Sequence, residues 1–298
     1  MYQGIRNPRT HDKVEDKQET ADAIILFVNY AIGVIRKAKG PFVLDEWIER
    51  VFDPDFVGSQ RYVDLMIGEV PPKRCAEALL AVYHKKTEGD GEKLQLVFSK
   101  LVECAGDDKL NELLSAISYE MRITQDETAI RRTLQILPPR LWPQVDEVAR
   151  LRIENKLIRS IESGKVSSST RRVTSGALGT WVRDFAPYLS LRHEFYDVLL
   201  KKLNDTEEQN YVALFFWSVL PFTFDEPVKE GTRGMWVRVI CRAVSTAIGS
   251  TILRDKLTDT FFMFPQNWRV QILEELKALE ETDPEYYASL ATSEEIPF

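Results

Sequence analysis

Residues 92–121 read EKLQLVFSKLVECAGDDKLNELLSAISYEM, which is two apolar stripes separated by a polar turn. The first stripe comprises Leu94, Val97, Phe98 and Leu101, and the second comprises Leu110, Leu113, Leu114, Ile117 and Met121. Steps of three and four residues place such side chains on one face of an α-helix. The small and acidic residues at 105–108 predict a turn, so this stretch predicts two successive amphipathic helices.

The same helical rhythm continues along nearly the whole chain of 298 residues, and convincing alternating strands are hard to find. The pattern predicts further helices near 18–38, 142–162, 170–186, 188–203, 207–220, 229–247, 250–261 and 266–281. We therefore predict an all-α fold. Successive helices joined by short polar turns suggest packed helix pairs, and a loose HEAT-like array and an irregular helical domain are both open interpretations.

The acidic excess of the chain is confined to one end. The net charge is -7, and residues 274–298 contain eight acids against Lys277, which accounts for the whole imbalance. The remaining chain has no global basic field of the kind that drives strong non-specific binding to nucleic acid. Contact with nucleic acid would therefore have to be local.

Apolar runs and cysteines restrict the compartment. No apolar run approaches the roughly 20 residues of a membrane span, and we predict no membrane contact. Cys75, Cys104 and Cys241 are odd in number and far apart. They predict buried, unpaired thiols of a reducing compartment, and we expect a cytoplasmic protein.

The chain begins with MYQGIRNPRTHD, in which Arg6 and His11 bracket four residues. Pro8 marks a turn or helix start, which would bring both side chains close to the positive end of a helix. A histidine can transfer a proton near neutral pH, and an arginine can hold phosphate oxygens with two donors. Such a pair suits RNA cleavage without a metal ion.

The segment GIRNPRTHD, followed by an amphipathic helix, resembles the R-x(4–6)-H motif of HEPN domains. It is closest to an uncharacterised bacterial family with GIRNPRxHD motifs, and the resemblance covers about residues 3–38. It implies a small helical bundle, commonly dimeric, that cleaves RNA without metal. Carried over, Arg6 and His11 would be catalytic and Asn7 would assist. HEPN proteins occur in bacterial defence and toxin–antitoxin systems.

The resemblance also sets the expected domain organisation. In HEPN domains helices precede the motif, whereas only three residues precede Gly4, so we expect the chain to be incomplete. We assign 1–40 to the C-terminal part of a HEPN-like bundle. Helical domains follow at 43–165 and 170–298, with an acidic tail at 274–298. The polar run 163–170 between them predicts a linker.

A second candidate site is the segment from Arg159 to Arg172, which carries four basic residues around serine and threonine. It is interpreted either as a phosphate- or RNA-contacting loop or as a solvated linker. We select Arg9, Arg171 and Arg172 as RNA-contacting residues. No histidine pair has metal-ligand spacing and the phosphate-loop pattern is incomplete, so we predict no metal and no cofactor.

These features give two functional hypotheses. The first is a HEPN-type, metal-independent ribonuclease-related protein of a bacterial defence or toxin system, with RNA as a partner. The second is a non-enzymatic helical scaffold or protein-binding module, with another protein or a second copy of the chain as its partner.

Overall fold

A computed structural model describes residues 18–37, 42–167, 169–221, 230–246 and 251–292, and these residues are mostly helical. The α-helices are Gln18–Lys37 (α1), Leu44–Val51 (α2), Gln60–Ile67 (α3), Cys75–His84 (α4), Gly91–Ala105 (α5), Asn111–Ile123 (α6), Glu127–Ile136 (α7), Glu147–Glu162 (α8), Arg192–Leu203 (α9), Gln209–Phe215 (α10), Glu230–Ser245 (α11), Thr251–Thr260 (α12), Gln266–Glu275 (α13), Leu279–Thr282 (α14) and Pro284–Thr292 (α15). The predicted all-α class is confirmed. Among the described helices, none has both the length and the apolar character needed to cross a membrane.

Short 3-10 helices join several of these elements, and one of them is long. They comprise Pro72–Arg74, Asp107–Lys109, Pro139–Gln144, Ala177–Tyr188, Trp217–Val219 and Phe261–Met263. The long one, Ala177–Tyr188, packs against α8 and covers Trp142 with Phe185, whose ring centroid lies 5.6 Å from that of Trp142. This 3-10 helix runs through the candidate site described below.

The chain divides into two compact units, Met1–Trp47 and Ile48–Phe298. In the first unit, α1 carries the apolar stripe expected from its sequence, and six of its large apolar side chains between residues 25 and 32 are exposed. Ile25 is 57% exposed, Leu26 70% and Tyr30 71%. The predicted boundaries at 40–43 and 165–170, like the HEPN assignment, stay predictions.

The second unit is a two-row helical array, because helices contact their next-but-one neighbours along the chain. One row passes through α4, α6, α8, α9, α11 and α13, each in contact with the next. The other row begins with α3, α5, α7 and the 3-10 helix Ala177–Tyr188, and farther along α10 contacts α12. Each helix thereby buries one apolar stripe between the rows, which is how repeat proteins build a continuous core.

A regular step underlies the first row, although the amino-acid sequence shows no repeated signature. Helices α4, α6 and α8 begin at residues 75, 111 and 147, that is, every 36 residues. The next helix of the row, α9, begins at residue 192, which is 45 residues after the start of α8. A β-hairpin lies in the connection between α8 and the 3-10 helix Ala177–Tyr188, and we interpret this longer connection as an insertion in the array.

Aspartates fix the starts of several helices of the array. The carboxylates of Asp90, Asp126 and Asp146 accept hydrogen bonds of 2.9, 2.8 and 3.1 Å from backbone N–H groups in the first turns of α5, α7 and α8. Such caps satisfy donors that have no partner within the helix. The polar turns seen in the sequence therefore mark real helix boundaries.

The expectation of three unpaired thiols is wrong for two of the cysteines. Cys75, at the start of α4, forms a disulfide with Cys104 in the last turn of α5, with an S–S distance of 2.07 Å. These helices pack against each other, so residues 29 positions apart in sequence meet. Cys241 is a free, buried thiol, as predicted.

The predicted linker at 163–170 contains instead the first strand of the hairpin. Strand β1, Lys165–Val166, pairs antiparallel with β2, Val173–Ser175, and this is the β structure of the described residues. A register irregularity lies between Lys165 and Val166. Residues 170–176, expected to begin a helix, belong to this hairpin.

Candidate nucleic-acid interface

The base of the hairpin is held by buried polar side chains that arrive from the following helices. The ammonium group of Lys202, on α9, donates hydrogen bonds of 2.8 Å to the carbonyl oxygen of Gly164 and 2.9 Å to the carboxylate of Glu208. The hydroxyl of Tyr211, on α10, donates one of 2.8 Å to the carbonyl oxygen of Gly176. Burial raises the pKa of Tyr211 well above its ordinary value, so its hydroxyl remains a donor.

Two glycines allow this close approach. A β-carbon at Gly164 would lie 2.3 Å from the Tyr211 ring, and one at Gly176 would lie 2.3 Å from the carbonyl oxygen of Ser160. Gly176 also has a φ of 73°, in the left-handed region that glycine adopts without steric cost. The hairpin is therefore an anchored part of the array and not a solvated linker.

The loop of the hairpin presents its arginines to solvent. The backbone N–H of Arg171 donates to the carbonyl oxygen of Ser167 at 2.9 Å, and that of Ser167 donates to the carbonyl oxygen of Arg172 at 2.9 Å. These bonds close a tight loop in which Arg171 has a φ of 54°. A non-glycine residue in this region is uncommon and costs on the order of 1–2 kcal/mol. Such strain is often found at functional positions.

Beside the hairpin lies a cavity of about 470 Å³, here named the basic groove. Its lining comprises Glu127, Lys156, Arg159, Ser160, Ser163, Val173, Thr174, Ser175, Gly176, Ala177 and Leu178. The groove therefore combines two cations with four hydroxyl groups. Lys156 faces Glu127 at 3.6 Å, and Arg159 supplies a second cation from the same helix, α8.

The cations of this region are largely unpaired. Within the described residues, the side chains of Arg159, Lys165, Arg171 and Arg172 form no ion pair or hydrogen bond. Arg172 directly precedes strand β2, whose three residues all line the groove. In a chain of net charge -7, a concentration of unpaired guanidinium groups is a local exception that favours an anionic ligand.

A smaller cleft of about 180 Å³ continues from the basic groove and shares with it Glu127, Ala177 and Leu178. It adds Thr128, Arg131 and Trp181. Arg131 is exposed on α7 and, among the described residues, has no ion-pair partner. The cleft thereby extends the cationic surface toward an aromatic side chain.

The structure locates only part of the predicted site. Arg6, Asn7, Arg9 and His11 lie outside the described residues. Arg171 and Arg172 are exposed in the hairpin loop. Arg159 belongs to the candidate segment recognised in the sequence, whereas Arg131, Lys156 and Trp181, which complete the surface, were missed. They come from three different helices. The sequence indicates the exposed face of each helix but not which of these faces lie next to each other.

The arrangement is suited to binding rather than to proton transfer. The two histidines of the described chain, His84 and His193, are exposed and do not line the groove. Nor do the described residues contain a cluster of three or more histidine, cysteine or acidic side chains that could hold a metal ion. The groove can offer charge-assisted hydrogen bonds from guanidinium groups and neutral ones from two of its four hydroxyls, because the other two, on Ser163 and Ser175, already donate to backbone carbonyls. Such bonds are the contacts that phosphate groups receive in proteins.

Comparison of the chain with protein-family models, with curated proteins and with solved structures gives no match.

Proposed function

We propose that the protein binds RNA and that the basic groove and the hairpin loop hold its phosphate backbone. The observation that carries this proposal is the group of unpaired cations, Arg131, Arg159, Arg171 and Arg172, around a groove lined with hydroxyls. Insertions between the units of a repeat array often form its binding face, and the anchored hairpin is such an insertion.

Binding of labelled single-stranded RNA, measured by fluorescence anisotropy at several salt concentrations, tests this function. The variant carries Arg159→Gln, Arg171→Gln and Arg172→Gln together. If each arginine neutralises one phosphate, the slope of log affinity against log salt falls by about 0.7 for each, or about 2 in total. Binding that is unchanged in affinity and slope would remove the groove from the interface.

The matched control removes three exposed arginines elsewhere on the array, at Arg61, Arg238 and Arg242. This variant has the same net charge as the groove variant. Equal losses in the two variants would indicate a diffuse electrostatic attraction and would contradict a defined site. Retention of the wild-type affinity and slope in the control supports the groove.

We further propose that Arg6 and His11 cleave the bound RNA, with Asn7 assisting and Arg9 contacting the phosphates. The support for this part is the HEPN-like segment of the sequence. Cleavage of RNA by the protein in the presence of a chelator, and its loss in His11→Ala with RNA binding retained, is the expected result. Binding without cleavage in the wild type would leave an RNA-binding protein and exclude the nuclease.

The second candidate, a protein-binding role, is favoured by the exposed apolar residues of α1. An isolated helix of this length is marginally stable in water, and it gains stability by burying its apolar face. We propose that the face is covered by the same face of a second copy, since a two-fold interface is self-complementary. Sedimentation equilibrium should give a dimer that Ile25→Glu with Val28→Glu converts to a monomer; a wild-type monomer at micromolar concentration contradicts it.

A further inference from the structure

One tryptophan is placed differently from the rest. All six tryptophans lie in the described part of the chain, and five are buried, with at most 5% of their surface exposed. Trp181 is half-buried, and its indole ring makes no aromatic contact or hydrogen bond with the described residues. A large, partly exposed aromatic side chain without a partner is available to stack on a ligand.

Trp181 lies between two cavities. On one side is the cleft with Arg131 that continues from the basic groove. On the other is a cavity of about 330 Å³, here named the Trp181 pocket. Its lining comprises Glu92, Gln95, Leu134, Gln135, Leu137, Pro139, Thr180, Trp181, Arg183, Asp184, Phe185 and Phe215. Six of these twelve residues are apolar or aromatic and six are polar or charged, and the volume is in the range of pockets for small organic groups.

The 3-10 helix Ala177–Tyr188 connects these cavities along one edge. A 3-10 helix has three residues per turn, so Leu178, Trp181 and Asp184 lie one above another on the same edge. Leu178 lines the basic groove, Trp181 the cleft and the pocket, and Asp184 the pocket. With a rise of about 2.0 Å per residue, the three span about 12 Å. The basic groove and the Trp181 pocket are thus connected along one edge of this 3-10 helix.

The polar groups of the Trp181 pocket can recognise a base edge. The side-chain oxygen of Gln135 accepts a hydrogen bond of 2.7 Å from the guanidinium of Arg132. A guanidinium can only donate, so this contact fixes the amide orientation and leaves its NH₂ donors for a ligand. Glu92 and Asp184 supply carboxylate acceptors. Adjacent donors and acceptors beside an aromatic face are the means by which unpaired bases are read.

We propose that the Trp181 pocket binds a nucleobase of a single strand whose phosphates lie in the basic groove. This inference rests on the proposed RNA-binding function and specifies its substrate class. A base within a duplex is stacked on both faces and paired along its Watson–Crick edge, so it has no free face for Trp181 and no free pairing edge for Gln135. The site should therefore select single strands over duplexes.

An abasic strand tests the pocket separately from the groove. The probes are a single-stranded RNA 12-mer, its duplex, an abasic 12-mer of the same phosphate spacing, and a mononucleotide. The wild type should bind the RNA 12-mer roughly 5- to 150-fold more tightly than the abasic strand, which is the effect of stacking one base. Trp181→Leu should abolish this preference and leave binding of the abasic strand unchanged.

Two further variants keep the test decisive. Gln95→Ala changes an exposed side chain of the pocket and serves as the test if Trp181→Leu does not fold. It should lower the ratio of the affinity for the RNA 12-mer to that for the abasic strand. Tyr119→Leu removes an exposed aromatic ring on α6 outside the pocket and should leave the ratio unchanged.

The outcomes separate the two proposals. If Trp181→Leu folds and retains the preference for bases, or if duplex binds as tightly as the single strand, the pocket proposal is overturned and groove binding stands. The strand proposal is also overturned if a mononucleotide binds as tightly as the 12-mer and if Arg159→Gln does not change that affinity. The pocket is then a site for a free nucleotide. If neither the 12-mer nor the abasic strand binds, the proposed function itself fails.

Discussion

The ammonium group of Lys202 lies 2.8 Å from the carbonyl oxygen of Gly164, so a cation from α9 closes the base of the hairpin. Only 3% of this side chain is exposed, and its charge is balanced by Glu208 at 2.9 Å. A buried backbone carbonyl without a partner is costly, which makes this contact part of the stability of the hairpin.

Replacement of Lys202 by methionine should therefore destabilise the protein by about 1–3 kcal/mol, because the carbonyl of Gly164 loses its donor. Urea unfolding measures the loss. Lys201→Met is the matched control, since Lys201 is the exposed neighbour on the same helix. If both variants unfold at the same urea concentration, the Lys202 contact has no net effect on stability.

Gly164→Ala tests the close approach of Tyr211. A β-carbon there would lie 2.3 Å from the ring, and the required displacement should cost about 1–3 kcal/mol. In Gly164→Ala/Tyr211→Leu the smaller side chain relieves the clash, so the two losses should not add. By contrast, Gly231→Ala has nothing within 4 Å and should not destabilise. Additive losses in the double variant would contradict the predicted clash.

Arg171→Gly removes a charge from the loop and also removes the strain of a positive φ. We expect unchanged or slightly raised stability, together with a decrease of about 0.7 in the salt slope of RNA binding. Arg172→Gly removes the same charge at a position without positive φ, so it should not gain stability. Thermal unfolding and anisotropy titrations on both variants distinguish the two effects. A stability loss in Arg171→Gly larger than in Arg172→Gly would show that Arg171 is not strained.

The disulfide gives a quantitative expectation. Cys75 and Cys104 close a loop of 29 residues, and in the chain-entropy relation such a loop stabilises by about 3–4 kcal/mol. Cys75→Ala/Cys104→Ala should lose this amount in urea unfolding. The reagent DTNB should detect one thiol in the denatured wild type before reduction and three after it. Three thiols before reduction would mean that the disulfide does not form.

Cys241 should make stability depend on alkaline pH. Burial, with a smaller contribution from the carboxylate of Glu275, raises the pKa of this thiol to about 12. The unfolded chain releases the proton near the ordinary value, so stability falls as the pH rises above about 9 and continues to fall toward 12. Between pH 8 and 10 ionisation of this thiol in the unfolded chain should lower the free energy of unfolding of the wild type by about 1–1.5 kcal/mol. Cys241→Ala should lack this decrease. Equal losses in both proteins would contradict this assignment.

The helices could be predicted from sequence because each shows its apolar stripe locally. Helices α5 and α6 carry eight of the nine side chains of the two stripes at 92–121, and the ninth, Leu110, directly precedes α6. The acidic turn between the helices coincides with a short 3-10 helix. The 36-residue step could not be predicted, since it is a spacing of helix starts without a shared motif. It becomes visible only when helices α4, α6 and α8 are seen to stack.

The hairpin and its groove could be predicted only in part. The arginines at 171 and 172 were recognisable as basic loop residues. The strands contain two and three residues, too few for an alternating pattern, and the contacts that anchor them come from Lys202 and Tyr211, far along the chain. The disulfide was missed for the same reason, because 29 residues separate two cysteines that meet only when α4 packs on α5.

The hairpin between α8 and the 3-10 helix Ala177–Tyr188 also has a consequence for the unfolding of the protein. In a linear array the helices exchange contacts only with near neighbours, so cooperativity must pass from one repeat to the next. The connection between α8 and α9 is the longest between two stacked helices of the first row. Lys202 anchors it through its hydrogen bond to Gly164. Loss of this hydrogen bond should uncouple the helices up to α8 from those that begin with α9, and it should divide one unfolding transition into two. The hairpin would then be the element that couples the folding of the two halves.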